Sequence, residues 1–381
     1  MTIPTTITNH FGSMPDPRID RCKHHKLIDI ITIAICAVIS HADGWTDIEA
    51  YGRAKETFLR QFLELPNGIP SHDTFQRVFA RLDPLAFQQC FLHWVAPIRH
   101  KLPNDIVAID GKTSRSTRDR SIDLSPLHIV SAWSSLNSLV LGQLRVDDKS
   151  NEIPAIPLLL ELLDIEGCIV TIDAMGCQTA IAQQNIEQAG EYVLACKDNQ
   201  GHLAADVEQL FSTLLDQASS SNALDYYKTV DERHGRYEVR EYWSTGCLET
   251  LRDRERWPEL QSVAMVRAER QTATETSVET RYYISSLPSD ARRIGGAIRQ
   301  HWGIENQVHW VLDVVFAEDR SRIRMDHSAH NMAIIRHIVL NLLRQETSLK
   351  KSLRQKRLRA SWDDNYVLKV LGIDLAGLHH I

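Results

Sequence analysis

Two aspartates directly follow short apolar runs whose composition predicts buried strands. Asp110 comes after residues 106–109, and Asp173 comes after residues 169–172. Gly111 and Ala174, the next residues, are small and allow other groups to approach. Buried carboxylates are unfavourable unless they are paired or bound to cations, and Mg²⁺ prefers such hard oxygen ligands. Each aspartate alone could equally cap the turn that follows it, but their repetition favours a metal site.

A third acid is expected from another element, and Glu305 is our candidate. It lies within a predicted helix beside Trp302 and Ile304, which indicate a buried environment. A buried glutamate requires a partner. Three other acids of this region are assigned to the polar end of the helix and its exit loop: Asp313, Glu318 and Asp319. Two acids ahead of Pro154 are interpreted as turn and cap residues: Asp147 and Glu152.

The first 100 residues have the apolar spacing of helices and no strand pattern. Ser71 is a predicted N-cap for a helix that ends at Leu82, and a second helix runs from 85 to 95. The pair is typical of a helix-turn-helix. DNA recognition by this pair and plain helical packing both remain open.

From residue 105 the pattern changes to strands, at 106–109, 127–134 and 139–146. A helix, a strand, a second helix and another strand follow up to residue 196. This order predicts an α/β fold of the ribonuclease H-like type, in which helices cover a mixed sheet. Strand-rich residues 200–286 predict an inserted β subdomain. A long helix from 290 to about 315 should then carry Glu305.

The length of 381 residues predicts two or three cores. We divide the chain into five segments. Residues 1–100 form a helical N-terminal domain with possible DNA binding, and 101–200 form the first part of the core. Residues 201–286 are a β-rich insertion, 287–346 are the second part of the core with the glutamate helix, and 347–381 are a basic tail. The seven cysteines are scattered without metal or disulfide spacing, which favours a reducing cytoplasm. We expect no leader, because no charged-then-apolar segment opens the chain. Nor do we expect a membrane span, since the longest apolar run is shorter than about 18 residues.

The formal net charge of −6 argues against a protein that coats nucleic acid by bulk charge. Contacts with DNA must therefore be local, and two basic clusters offer them. One follows the first predicted strand: Lys112, Arg115, Arg118 and Arg120. The stronger one is near the C-terminus: Arg344, Lys350, Lys351, Arg354, Lys356, Arg357 and Arg359. Lys112 and Lys197 lie near strand ends, where phosphate contact and simple solvation are both open.

Taken together, several motifs make the chain resemble the insertion-sequence DDE transposases, in the ISAs-type branch that includes the H-repeat-associated proteins. The resemblance covers nearly the whole chain. The segments that carry it are GWTDIE at 44–49, GIPSHDTF at 68–75, AIDGKT at 108–113, KSNEIP at 149–154, DAMGCQ at 173–178, HWGIEN at 301–306, HW at 309–310 and LDV at 312–314.

This resemblance implies a ribonuclease H-like core with a β insertion between the second aspartate and the glutamate. It also implies Asp110, Asp173 and Glu305 as catalytic ligands of two Mg²⁺ or Mn²⁺ ions, with Asp110 bridging both. The implied partner is double-stranded DNA at element ends and target, bound by a homodimer or a larger assembly in the bacterial cytoplasm at the nucleoid.

One departure concerns the residues around the glutamate. The wider superfamily has Tyr, Arg and Lys at offsets −7, −4 and +7, where this chain has Ile298, His301 and Leu312. Arg299 and His301 could supply part of that positive charge.

Three alternatives to a transposase were weighed. A Ser-His-Asp hydrolase is disfavoured because G-x-S-x-G is missing. A nuclease of the same fold that cleaves without joining stays open. An inactive or domesticated DNA-binding remnant is disfavoured by the three intact acids.

Overall fold

The computed structural model describes residues 7–119, 123–146, 152–216, 223–233, 236–272 and 274–373. Its α-helices are α1 (Ile7–Phe11), α2 (Leu27–Ile39), α3 (Trp45–Ala54), α4 (Glu56–Leu59), α5 (His72–Arg81), α6 (Pro84–Val95), α7 (Glu152–Glu161), α8 (Thr179–Glu187), α9 (Gly201–Asp216), α10 (Ala291–Ile304), α11 (Trp310–Val314), α12 (Ser328–Gln345), α13 (Leu353–Trp362) and α14 (Asp364–Leu371). Its strands are β1 (Ile106–Ser114), β2 (Leu127–Ser134), β3 (Leu139–Val146), β4 (Ile169–Ile172), β5 (Glu191–Cys196), β6 (Asp225–Arg233), β7 (Arg236–Thr245), β8 (Ser262–Gln271) and β9 (Thr276–Ser285). No described helix is long and apolar enough to cross a membrane.

The nine strands form one mixed sheet in the order β3-β2-β1-β4-β5-β9-β8-β7-β6. Strands β1 to β3 form an antiparallel meander, while β1, β4 and β5 run parallel and are joined through α7 and α8. The buried, β-branched residues of β1 and β4 are typical of strands covered on both faces. The strand order and the flanking helices confirm the predicted ribonuclease H-like fold class.

The strand-rich segment after β5 continues this sheet. β9 pairs antiparallel with β5, from Val193 opposite Ser285 to Cys196 opposite Tyr282, and β8, β7 and β6 follow as antiparallel neighbours. Helix α10 packs against β7 where Gly295 leaves room, since a Cβ there would lie 2.7 Å from the Tyr242 ring. The predicted insertion thus extends the sheet and supports the helix that leads to Glu305.

The N-terminal helices pack around α2, whose apolar residues are almost completely buried. The α5–α6 pair is held by α12, because the Asn331 side chain donates hydrogen bonds to the carbonyls of Phe79 (2.8 Å) and Leu82 (2.9 Å). Asp83 caps α6 through the Leu85 amide, at 3.0 Å. Packing is therefore the role the structure gives this pair, and DNA recognition by it stays a prediction.

The C-terminal half adds detail to the predictions. The predicted helix over 290–315 is confirmed, because α10, a π-helical turn at Glu305–His309 and α11 follow one another without a break. Within the predicted basic tail, residues 353–371 form helices α13 and α14. Residues 374–381 lie outside the described part of the chain.

Candidate active site

Asp110 and Asp173 occupy equivalent positions on neighbouring parallel strands. The last parallel pair of β1 and β4 is Ile109 opposite Ile172, and each aspartate is the next residue. Neighbouring strands are about 4.8 Å apart, so the register brings the two aspartates side by side. We predicted that Asp110 ends its strand, but β1 continues beyond it to Ser114 beside β2.

Asp173 also caps the turn after β4. Its Oδ1 accepts hydrogen bonds from the amides of Met175 (3.1 Å) and Gly176 (3.4 Å). The capping interpretation and the site interpretation therefore both apply to this residue. The cap fixes the carboxylate at the strand end and leaves its other oxygen outside these two bonds.

Helix α10 is fixed over the same strand ends. Its N-terminus is capped by Asp290, which accepts from the Arg293 amide at 2.8 Å. Near its C-terminus, His301 Nδ1 is hydrogen-bonded to Thr171 Oγ1 of β4 at 3.0 Å. The Arg281 guanidinium lies 4.7 Å from the centre of the Trp302 ring. These contacts hold the end of α10, and with it Glu305, above β4.

The π-helical turn places a histidine beside two of the acids. His309 Nδ1 is 2.7 Å from Glu305 Oε2 and 3.4 Å from Asp110 Oδ2. One donor atom from each of these three residues lies within 4.8 Å of the other two. The sequence reasoning missed His309, although its spacing of four residues from Glu305 and its place in the HW motif were available signals.

The three predicted acids line one cavity of about 250 Å³, together with Lys197 and His301. The structure thus brings Asp110, Asp173 and Glu305 together from three elements that are far apart in sequence. Asp173 is outside the tight cluster of donor atoms formed by Asp110, Glu305 and His309. It lies on the side of the cavity where Lys197 is found.

Burial governs the electrostatics of this cavity. The pKa of Asp110 is raised to about 6, mainly by burial; the charge of His309 and the Gly111 amide act to lower this pKa, and the charges of Asp173 and Glu305 act to raise it. Burial also raises the pKa of Asp173. The hydrogen bond from His309 lowers the pKa of Glu305. A cluster of carboxylates held in this way fits a divalent cation, which would compensate the charges that burial disfavours.

The sequence predicts that Glu152 is a turn or cap residue. Its side chain instead belongs to a buried pair next to β1. Its Oε1 is 2.5 Å from His128 Nε2, and His128 Nδ1 is 2.7 Å from Thr113 Oγ1. A Cβ on Gly111 would lie 2.5 Å from that Glu152 oxygen. The glycine next to Asp110 is therefore required by the close approach of this pair.

Lys112 is surrounded by carboxylates. It is therefore not available for the phosphate contact that was considered from the sequence. Its Nζ is 2.6 Å from Asp313, 3.3 Å from Glu318 and 3.7 Å from Asp319, and its side chain is 10% exposed. Glu318 is also paired with Arg336 at 3.4 Å. The three acids that were alternatives to Glu305 thus neutralise the charge of a lysine near the end of β1.

The other candidates near the cavity differ in exposure and charge. Lys197 and Arg115 are exposed, and Arg299 is exposed on α10 beside a second cavity of about 300 Å³ that Trp302 also lines. Burial lowers the pKa of His301 to about 4, so this histidine is neutral at pH 7 and does not supply the expected positive charge. Arg120 lies outside the described residues.

The C-terminal basic run divides into two groups. Four residues are exposed: Lys350, Lys351, Arg354 and Arg359, the last of which pairs with Asp363. Lys356 is buried and donates to the carbonyls of Leu343, at 2.7 Å, and Glu346. Arg357 is fully buried and donates to the Val38 carbonyl from two nitrogens, at 2.9 and 3.1 Å, and to the Val315 carbonyl. The predicted DNA contacts of Lys356 and Arg357 do not fit these positions.

Comparisons with known proteins agree on one family. Residues 101–342 match the family model described as "Transposase DDE domain", and residues 8–95 match the model described as "DDE_Tnp_1-associated". The chain is 40% identical over 370 residues to the "H repeat-associated putative transposase YhhI" of Escherichia coli strain K12, covering 96% of this chain and 97% of that protein. It is 38% identical over 370 residues to the "Putative transposase YncI" of Escherichia coli O157:H7, covering 96% and 94%.

Two further similarities are more limited. The "Inactive transposase YbfQ" of Escherichia coli strain K12 is 45% identical over 75 residues, which cover 20% of this chain and 89% of that protein. Among solved structures, a cryo-EM structure of the piggyBac transposase synaptic complex with hairpin DNA aligns with a TM-score of 0.44 and 10% identity, covering 93% of this chain and 75% of that chain.

Proposed function

The chain belongs to the family of transposases with a DDE domain, and we propose that it cuts DNA and joins it to a target, using Asp110, Asp173 and Glu305 as its catalytic carboxylates. The observation that carries this proposal is the common cavity on which the ends of β1 and β4 and the helix after the β insertion converge. Acids from three separate elements meet there; burial raises the pKa of Asp110 and Asp173, whereas Glu305 is half exposed and not buried as predicted.

The donor set supports Mg²⁺ or Mn²⁺ as the cofactor, with two ions per site. Asp110 shares the cavity with both other acids, whose charges act on its carboxylate, and it would hold both ions, while Asp173 and Glu305 would each complete one position. When bound, such ions activate a water or a 3′-hydroxyl and stabilise the leaving oxygen in an in-line displacement. The protein contributes fixed ligands, because Asp173 is held by its turn and Glu305 by α10.

Exposed cations near the cavity support double-stranded DNA as the substrate. Lys197 lines the acidic cavity, and Arg299 lines the neighbouring groove with Trp302. Three residues at the start of α13 and just before it would extend the contact to more distant phosphates: Lys350, Lys351 and Arg354. We propose that element ends and target are bound in this way by a homodimer or larger assembly, at the nucleoid in the bacterial cytoplasm.

A cleavage and joining assay tests the proposal. Linear DNA carrying the sequences that flank this coding region in its genome is incubated with labelled target DNA and Mg²⁺ or Mn²⁺. The parent should nick the flanking DNA and produce joined strands, while Asp110→Asn and Glu305→Gln should lose both products because ligands are removed. Glu187→Gln, an exposed change on α8, is the matched control and should retain activity.

Each outcome has a defined meaning. Equal activity in the parent and Asp110→Asn, or no cleavage by either, would count against catalysis by these acids. Cleavage without any joined product would identify a nuclease instead of a transposase. DNA binding without cleavage would place this chain among inactive relatives.

A further inference from the structure

His309 is a buried histidine whose ring lies between two carboxylates of the proposed site. Its side chain is 7% exposed, and its Nδ1 lies between the carboxylates of Glu305 and Asp110, at 2.7 and 3.4 Å. Its Nε2 is buried and has no hydrogen-bond partner among the described residues. Within the described part of the chain, the polar contacts of this imidazole are therefore with two proposed cation ligands.

The backbone of this segment is arranged to bring His309 to the acids. The Trp310 amide donates to the Glu305 carbonyl five residues earlier, which defines the π-helical turn. Such turns are rare and are found mostly at functional sites. Arg344 of α12 donates to the Gln307 carbonyl inside the turn, at 2.6 Å. The turn is thus supported by α12, while Glu305 lines the cavity and His309 lies against Glu305 and Asp110.

We propose that His309 Nδ1 is a third ligand of the cation held by Asp110 and Glu305, so that this position has two oxygen donors and one nitrogen donor. The inference rests on the proposed function and adds a ligand to it. In the metal-free protein, the Nδ1–H hydrogen bond to Glu305 keeps the donors together, and coordination through Nδ1 requires the neutral imidazole to carry its proton on Nε2 instead. Asp173 lies outside this group and serves the second position with oxygen ligands alone.

A nitrogen ligand changes which cation this position prefers. Imidazole suits transition metals, whereas Mg²⁺ favours oxygen and water. The position should therefore bind Mn²⁺ more tightly than Mg²⁺, and the difference should depend on His309. If His309 only orients Glu305 through its hydrogen bond, no nitrogen contacts the metal and the preference does not depend on it.

Electron spin resonance on Mn²⁺ tests this directly without DNA or turnover. The metal-free full-length chain is titrated with Mn²⁺, and ¹⁴N coupling to the bound ion is measured by spin-echo modulation. The parent should show coupling from one directly bound nitrogen. His309→Asn should lose it and bind Mn²⁺ at least about 10-fold more weakly, since even the loss of an outer-shell partner typically weakens metal binding 10- to 100-fold. Affinity for Mg²⁺, measured by competition, should change less.

Two controls keep the result interpretable. His93→Asn makes the same change at an exposed residue of α6 and should leave both the coupling and the affinity unchanged. Thermal unfolding without metal checks that His309→Asn is folded.

The contrary results separate this inference from the function it rests on. Bound Mn²⁺ without ¹⁴N coupling in a parent that still cleaves DNA would overturn the role of His309 and leave the proposed function intact. Coupling that persists in His309→Asn would assign the nitrogen to another residue and also overturn it. Failure of the parent both to bind Mn²⁺ and to cleave DNA would overturn both proposals.

Discussion

Changing Arg357 to alanine should destabilise the protein by about 3–5 kcal/mol, because it removes charge-assisted hydrogen bonds to two backbone carbonyls and leaves a cavity. The guanidinium is fully buried, and its three hydrogen bonds end on the carbonyls of Val38 and Val315. Its centre also lies 4.4 Å from that of the Phe316 ring. Val38 is in the last turn of α2, where its carbonyl also accepts from the His41 amide at 3.4 Å, so Arg357 provides the shorter hydrogen bonds of this carbonyl.

The magnitude follows from the groups left behind. Each buried carbonyl without a partner costs about 1–3 kcal/mol, and the loss of the long side chain leaves a cavity as well. Removing the guanidinium also relieves its own burial, which lowers its pKa to about 10. At roughly 2.1 cal/mol/K per residue, 381 residues have an unfolding entropy of about 0.8 kcal/mol/K, so Tm should fall by roughly 4 to 6 °C.

Thermal and urea unfolding of Arg357→Ala and Arg354→Ala measure the contrast. Arg354 is three residues earlier on α13 and exposed, so its change should alter stability by less than about 0.5 kcal/mol. The same proteins are then compared in DNA binding at increasing salt. An Arg357→Ala protein with unchanged Tm and a shallower salt dependence would show that Arg357 is a surface contact, and the reasoning from burial would fail.

Three further predictions concern the cavity and its surroundings. In metal-free buffer, burial raises the pKa of folded Asp110 to about 6, above its unfolded value near 3.9, so this group destabilises the folded state progressively from pH 4 to pH 6 and fully above it. Asp110→Asn should therefore unfold at a higher temperature than the parent at pH 7.5, and this difference should disappear near pH 4. If the variant and the parent had the same Tm at pH 7.5 as well as at pH 4, the assigned burial of Asp110 would be contradicted. Gly111→Ala should lower stability by about 1–3 kcal/mol through overpacking against Glu152, seen in urea unfolding, whereas Gly167→Ala tests backbone strain alone because no atom lies near its Cβ. Three exposed residues are changed together to alanine: Lys350, Lys351 and Arg354. The slope of the logarithm of the DNA-binding constant against the logarithm of the salt concentration should decrease by up to about 3, because each residue neutralises one phosphate. An unchanged slope would remove this segment from the binding surface.

The fold could be predicted because its signals are local in sequence. The apolar runs before Asp110 and Asp173 indicate buried strands, and parallel pairing of those strands then makes the aspartates neighbours. The site acids were identified through the same logic, together with motifs that the family shares. These properties depend on neighbours along the chain, which the sequence shows.

The features that were missed depend on distant neighbours. Lys356 and Arg357 belong to a basic run typical of an exposed surface, but the C-terminal ends of α12 and α2 meet them and supply carbonyl acceptors. The π-helical turn after α10 is contacted by Arg344 from α12. No local pattern contains either contact, so charge alone suggested exposure and periodicity alone did not predict the π-helical turn.

The distribution of positive partners finally distinguishes the site acids from their competitors. Asp313, Glu318 and Asp319 are close to Glu305 in sequence, yet all three lie within 4 Å of Lys112. Among the described residues, neither Asp110 nor Glu305 forms an ion pair with a lysine or arginine, and the charge of Asp173 is moderated only from a distance by Lys197. Burial raises the pKa of Asp110 and of Asp173, and this uncompensated burial supports our proposal that an exchangeable cation is held by the cavity acids. The lysine near the end of β1 thus pairs with the three alternative acids, and we propose that the cavity acids are left for metal.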